Sequence, residues 1–155
     1  MKYKRLSSQE LQALEKEFIQ FLASAQVTAQ DWEKMKINET EKANELIDVF
    51  SDVVYDNVLR KINFLEYRDA KTLNIFNCEK EKITLVGLRV KEQSPLDLTS
   101  PDVFAQWNSI NAGAVNVITT EKAYNSERET EVFELLQSGC LITDDKLFNL
   151  LNGRK

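Results

Sequence analysis

Five carboxylates on one helix face are the side chains of this chain best placed to do chemistry. Glu41, Glu45, Asp48, Asp52 and Asp56 fall within about 80° of arc when their segment is wound at about 100° per residue. Carboxylates four residues apart can share a hard cation such as Mg²⁺, Mn²⁺ or Ca²⁺, which takes oxygen ligands. A cation held there would suit a metal-dependent hydrolase built on helix 41–61. The same spacing is what the solvated side of any amphipathic helix shows, and that plainer reading is preferred. A metal centre also needs ligands from a second element, which the spacing does not locate. Asn57 projects into the apolar arc of the same helix, between Leu46 and Phe50 in angular position. A buried amide must be hydrogen-bonded, so Asn57 either ties the helix end to the next strand or lines a pocket. Asp48, Asp52, Asp56 and Asn57 are therefore the candidate ion- or partner-binding residues. No residue stands out as catalytic, as a metal ligand or as a cofactor contact.

The remaining chemistry is bounded by what is missing. The chain has 155 residues and no histidine, so Ser-His-Asp and Cys-His nucleophile systems and a histidine base are excluded. Its four glycines, Gly87, Gly113, Gly139 and Gly153, are too scattered for a phosphate-cradling loop. Two cysteines without histidine cannot complete a four-ligand structural zinc site; Cys78 and Cys140 read as buried small hydrophobes in a reducing, cytoplasmic setting. Net charge is −5, with residues 1–40 balanced, 41–60 at −3, 61–92 at +2 and 93–155 at −4. Nucleic-acid binding rests on clustered Lys and Arg, which this distribution lacks. The chain starts Met1-Lys2-Tyr3-Lys4-Arg5-Leu6 without a hydrophobic leader and holds no run of about 18 apolar residues, so the expectation is a soluble protein with no membrane partner.

These residues must be carried by a fold whose pattern runs helix, strand, helix. Ser7 and Glu10 have capping-box spacing, and Leu11, Leu14, Phe18, Phe21, Leu22 and Ala25 then follow a helical stripe, predicting one helix to about Ala25. Thr28 with Asp31 opens a second, short helix carrying Trp32 and Met35 onto the same core. The third helix, 41–61, has an apolar face including Ala43, Leu46, Val49, Phe50, Val53, Val54 and Val58, broad enough for a central position. Phe50 is expected in the core and Asp52 on the surface.

Residues 62–90 predict three antiparallel strands, with a phase slip near Gly87 that a β-bulge would explain. Residues 92–100 read as loop and Ser100-Pro101 as the start of a short helix ending near Ile110. Asn111–Asn125 suggests an extended segment through Val115, Val117 and Ile118. Ser126 and Glu129 again have capping-box spacing, for a helix burying Val132, Phe133, Leu135 and Leu136 and ended by Gly139. Thr143 opens a last helix carrying Leu147, Phe148, Leu150 and Leu151. The two tail helices around a glycine resemble a helix-turn-helix, but Asp144 and Asp145 would face the duplex and repel it. A packing or protein-docking motif is the better reading.

Tyr3-Lys4-Arg5-Leu6, the run Asp48-Val49-Phe50-Ser51-Asp52-Val53-Val54 leading to Val58-Leu59-Arg60-Lys61, Leu65-Glu66-Tyr67-Arg68, Gly87-Leu88 and Leu135-Leu136-Gln137-Ser138-Gly139 with Ile142 resemble an uncharacterised bacterial family of about this length. The resemblance spans nearly the whole chain and implies a bacterial origin and a one-domain fold; it carries no site residues, because the family has no defined function. The sequence thus predicts a single α+β domain, residues 1–155, in which a helical hairpin and a long central helix pack on a small three-stranded antiparallel sheet with C-terminal helices. The expected role is a non-enzymatic cytoplasmic interaction or assembly module whose partner is a protein, self or other, with no cofactor.

Overall fold

A computed structural model describes residues 1–110 and 112–153. By internal contacts the chain divides into two compact units, Met1–Val58 and Leu59–Lys155. Among the described residues there are six α-helices and five strands in a mixed α+β architecture.

The first unit is helical: α1 (Ser8–Ala13), α2 (Glu15–Ser24), α3 (Ala29–Asn38) and most of α4 (Thr40–Arg60). Ser7 caps α1, its hydroxyl accepting from the Glu10 amide. Thr28 and Asp31 form a full capping box on α3, each side chain bonding the other's backbone N–H. The single first helix expected to about Ala25 is instead two, because Leu14 leaves helical geometry at φ −107°, ψ 24°. Leu11, in the last turn of α1, and Leu14, at the break itself, both pack on the unit's core of Leu6, Phe18, Leu22 and Phe50. The apolar arc of α4 is narrower than expected. Phe50 is buried, but Val49, Val53 and Val58 are exposed.

The second unit holds β1 (Phe64–Arg68), β2 (Thr72–Cys78), β3 (Lys82–Val90), β4 (Val115–Ala123), α5 (Arg128–Gln137), β5 (Leu141–Thr143) and α6 (Lys146–Asn152). Every neighbouring pair is antiparallel, in the order β4-β3-β2-β1-β5. The expected three strands are thus five. β4 is the segment read as merely extended, although Asn111, where that reading began, lies outside the described residues. β5 was hidden because Leu141 and Ile142 look like the link between two amphipathic helices; pairing with β1 makes them a strand. Leu73, Ile75, Val86, Leu88 and Val115 share one sheet face, and Leu98, Trp107, Phe148 and Leu151 cover it.

Ser100-Pro101 does not open an α-helix. Residues 99–106 form turns and a single 3₁₀ turn spans Trp107–Ser109. The Asp97 carboxylate bonds the Thr99 amide and hydroxyl, fixing a turn that competes with helix initiation. The N-cap of α5 is Glu127 without a side-chain bond, not Ser126. Its other end follows expectation: Gly139 at φ 107° lets its own amide reach Leu136 O and that of Cys140 reach Leu135 O, a Schellman closure. The N-cap of α6 is Asp145, because Thr143 is taken by β5.

No bulge occurs at Gly87, since β3 keeps continuous register with both neighbours. Ile83 and Val86 are both buried because the sheet is covered on both faces at different points along β3, which imitates a slip in phase. Glycine is required at 87 for room: a Cβ there would sit 2.8 Å from Ile118 Cγ1 and 3.1 Å from Asn74 Oδ1. Gly87→Ala is therefore expected to destabilise by about 1–3 kcal/mol, as overpacking does. In an Ile118→Ala background much of that cost should vanish. Denaturant melts of the four-member cycle check this, and an undiminished cost would refute the steric account.

Candidate functional site

The acidic face of α4 is occupied by the chain's own N-terminus. Arg5 clamps Asp48 through Nε at 2.5 Å and Nη2 at 3.0 Å. Asp52 accepts the backbone amides of Lys2 at 2.7 Å and Tyr3 at 3.1 Å. Asp56 accepts the Tyr3 hydroxyl at 2.5 Å, with Lys2 Nζ 3.8 Å away. Between them Ser51, buried within α4, accepts the Leu6 amide and donates to Ile47 O. Carboxylates four residues apart lie about 6 Å apart along the helix, close to the roughly 6.6 Å spanned by two extended residues, so Tyr3 and Arg5 meet successive carboxylates, Asp52 and Asp48. The Arg5 hydrogen bond holds the Asp48 carboxyl below its ordinary range, against a small opposing effect of burial.

Asn57 is not part of this arrangement. It is exposed rather than buried in the apolar arc, which corrects the expectation of a buried amide. The pattern put it near Leu46 and Phe50, but the last turns of α4 bury Leu59 instead and leave Val53 and Val58 at the surface. Asp52 is also corrected: it is half-buried and bonded to two amides, not a free surface residue. Asp52→Asn should cost about 1–2 kcal/mol, the range for charge-assisted bonds weakened at a partly exposed site. Glu45→Gln, at an exposed carboxylate on the same face, should change stability by under about 0.5 kcal/mol. Paired denaturant melts decide this, and equal small effects would show that the N-terminal segment is not held. Basic Lys2, Lys4 and Arg5 against an acidic stripe were the legible signal for this pairing.

A cleft of about 440 Å³ opens in the helical unit between α1, α2 and α3. Its floor is apolar, formed by Leu11, Phe18, Leu22, Trp32 and Ile47, with Ile19 half exposed at the lip. Trp32 stands edge-on to Phe18, with centroids 5.1 Å apart at 82°. On the rim Glu33 and Lys36 pair at 3.0 Å, while Glu15 has no partner among the described residues. Helical periodicity assigned these apolar residues to a closed core; that the hairpin leaves a gap over them is a tertiary matter.

In the sheet unit two charged side chains organise the chain around α5. The Arg128 guanidinium donates to Leu59 O, Ile62 O, Cys78 O and Glu79 O and also meets Glu129. Glu131 is buried, and accepts Lys122 Nζ at 2.9 Å and the amides of Asn125 and Ser126. Burial pushes its carboxyl up, but the Lys122 hydrogen bond, the two amides and the Lys122 charge together outweigh it, so the group lies below its ordinary value of 4.5. A depressed folded value adds stability that is present above about pH 4.5 and lost as pH falls through the folded value. The stability gap between the native chain and Glu131→Gln should therefore shrink steadily from about pH 6 to about pH 3. Melts across that range check it, and a pH-independent gap would overturn the assignment.

Burial pushes the Cys78 thiol up to about 11 despite the Arg128 charge, and it raises Cys140 as well. Neither is a thiolate near neutral pH, so neither is poised as a nucleophile. The Tyr124 hydroxyl, raised to about 12 by burial, donates to Glu79 O at 2.6 Å. Among the described residues no three His, Cys, Asp or Glu side chains gather as a metal-binding group. No helix among them is long and apolar enough to cross a membrane.

No curated protein and no solved structure matches this chain. A family model does, and over residues 1–154 it coincides with the whole arrangement just described, from the N-terminal segment on α4 to the end of α6. The chain belongs to the family of unknown function DUF6495.

Proposed function

We propose that this protein is a non-catalytic interaction module that seats a helix of another protein in the cleft between α1, α2 and α3. The observation that carries this reading is the cleft itself: an apolar floor, a half-exposed Trp32 and Ile19, and a thin polar rim. Grooves of this kind accept amphipathic helices through residues at i, i+3, i+4 and i+7. The unpaired Glu15 on the rim, in a unit whose charges sum to −4, favours a partner helix with a basic polar face. The rival, a metal-dependent hydrolase on α4, loses its main support because Asp48, Asp52 and Asp56 are engaged by residues 2–5. Two free, buried cysteines fit a reducing compartment such as the cytoplasm.

The test is site-specific photocrosslinking in the native cell from position 19, with Trp32→Ala and a probe at exposed Ile37 as comparisons. Adducts should map to an amphipathic basic helix in one partner and disappear in the Trp32 variant. The synthetic partner peptide should then shift the tryptophan fluorescence of the native chain saturably and leave that of the Trp32→Ala variant, which keeps Trp107, unchanged. Adducts that are equally abundant from position 37, or insensitive to the Trp32 change, would remove the cleft from the argument.

A further inference from the structure

A second concavity lies wholly within the sheet unit, at the junction of the α4 end, the start of β1 and the end of β2. It has a volume of about 460 Å³, and its charged lining comprises Arg60, Lys80, Arg128, Glu79 and Glu129, a net charge of +1 in a chain of net −5. The charges there are not equally available. Glu79 accepts the Thr84 hydroxyl at 2.6 Å, and Glu129 meets Arg128 at 3.4 Å. Arg128 in turn spends its donors on backbone carbonyls. Arg60 and Lys80 have no ion pair or side-chain hydrogen bond among the described residues, and the same holds for the amides of Asn63 and Asn77. Phe64 forms an apolar wall, its ring 5.6 Å from that of Phe148.

We propose that this concavity binds a small organic oxyanion, a phosphate ester or carboxylate on a flat apolar group, with Arg60 and Lys80 taking the charge and Phe64 the ring. Arg60 offers a planar fork that matches an oxyanion with two N–H groups, and Lys80 supplies a point charge beside it. Asn63 and Asn77 add neutral donors that read the oxygens not met by the cations. Glu129 is offset by Arg128, and Glu79 keeps its charge while accepting from Thr84, so Arg60 and Lys80 leave the concavity with the net +1 that would draw an anion in. The site shares no lining residue with the helical cleft and needs no partner protein.

The probes are phenyl phosphate, benzoate and inorganic phosphate, titrated into the full chain while side-chain amide and guanidinium resonances are followed by NMR. Phenyl phosphate is expected to perturb Asn63, Asn77 and Arg60 saturably in the millimolar range, about −4 kcal/mol, and to weaken as salt is raised. Benzoate binding more tightly than phenyl phosphate would identify the ligand class as a carboxylate, weaker binding as a phosphate ester, and equal binding would support a site that reads only the shared oxyanion and ring. Arg60→Gln and Lys80→Gln should each weaken the better probe about tenfold. Both residues are exposed, so the variants fold, and Lys16→Gln on α2 should leave binding unchanged. Absence of saturation by either aromatic probe, or binding indifferent to Arg60→Gln and Lys80→Gln, would overturn the site. Inorganic phosphate binding as tightly as phenyl phosphate would overturn the role given to Phe64.

Discussion

Replacing Arg128 with Met is expected to destabilise the sheet unit by about 2–4 kcal/mol, because buried carbonyls lose a charged donor and such bonds are worth about 1.5–3 kcal/mol each where no other donor remains. The side chain of Arg128 is 13% exposed, and it bonds four backbone carbonyls: Leu59 and Ile62 where α4 ends, Cys78 and Glu79 where β2 ends. Helix ends leave carbonyls without intrahelical partners. Here one guanidinium meets one such carbonyl, that of Leu59, together with those of Ile62, Cys78 and Glu79, and fixes the start of α5 against both elements. Met keeps the apolar stem and removes every donor, so the cost reports the bonds rather than lost packing. Arg128→Lys should recover less than half of it, because an ammonium has three donors on one atom and cannot span the same carbonyls. Denaturant unfolding of the three proteins measures this. A cost under about 1 kcal/mol for Met, or full rescue by Lys, would show that water already satisfies those carbonyls.

Phe50→Ala should cost about 3–5 kcal/mol in the helical unit, as emptying a buried aromatic site does. Phe50 is 3% exposed, and its ring lies 4.9 Å from Phe18 and 5.3 Å from Phe21, both tilted. Both rings belong to α2, so the hole can close only by moving that helix against α4. Val53→Ala, one turn away on an exposed part of α4, should change stability by under about 0.5 kcal/mol. Melts of the two variants separate the buried stripe from the exposed one. If the Val53 change were as costly as that of Phe50, the broad apolar arc expected from the sequence would be right and the narrow one wrong.

Local chemistry was legible wherever neighbours in sequence settle it. The capping pairs Ser7 with Glu10 and Thr28 with Asp31, the α4 span, the β2 and β3 strands and the glycine stop at Gly139 depend on interactions within a few residues. The candidate site was legible in part. The spacing placed Asp48, Asp52 and Asp56 on one face and suggested a solvated stripe or an ion site; that they accept from residues 2–5, over forty positions away in the chain, was not legible in it.

The sequence by itself determined the helical stripes, the turn chemistry and the α+β class, because periodicity and capping are short-range and each residue type carries them. Tertiary structure decided the rest. Strand β5 exists because β1 offers a free edge to Leu141–Thr143, a pairing across more than seventy residues that no local pattern encodes. Gly87 is glycine because Ile118 of β4 needs its space, and Arg128 matters because its partners are backbone carbonyls, which are the same at every residue and so leave no trace in sequence. Whether an apolar side chain closes a core or floors a cleft is likewise set by what packs opposite it, as Trp32 and Phe18 show in the gap between α2 and α3.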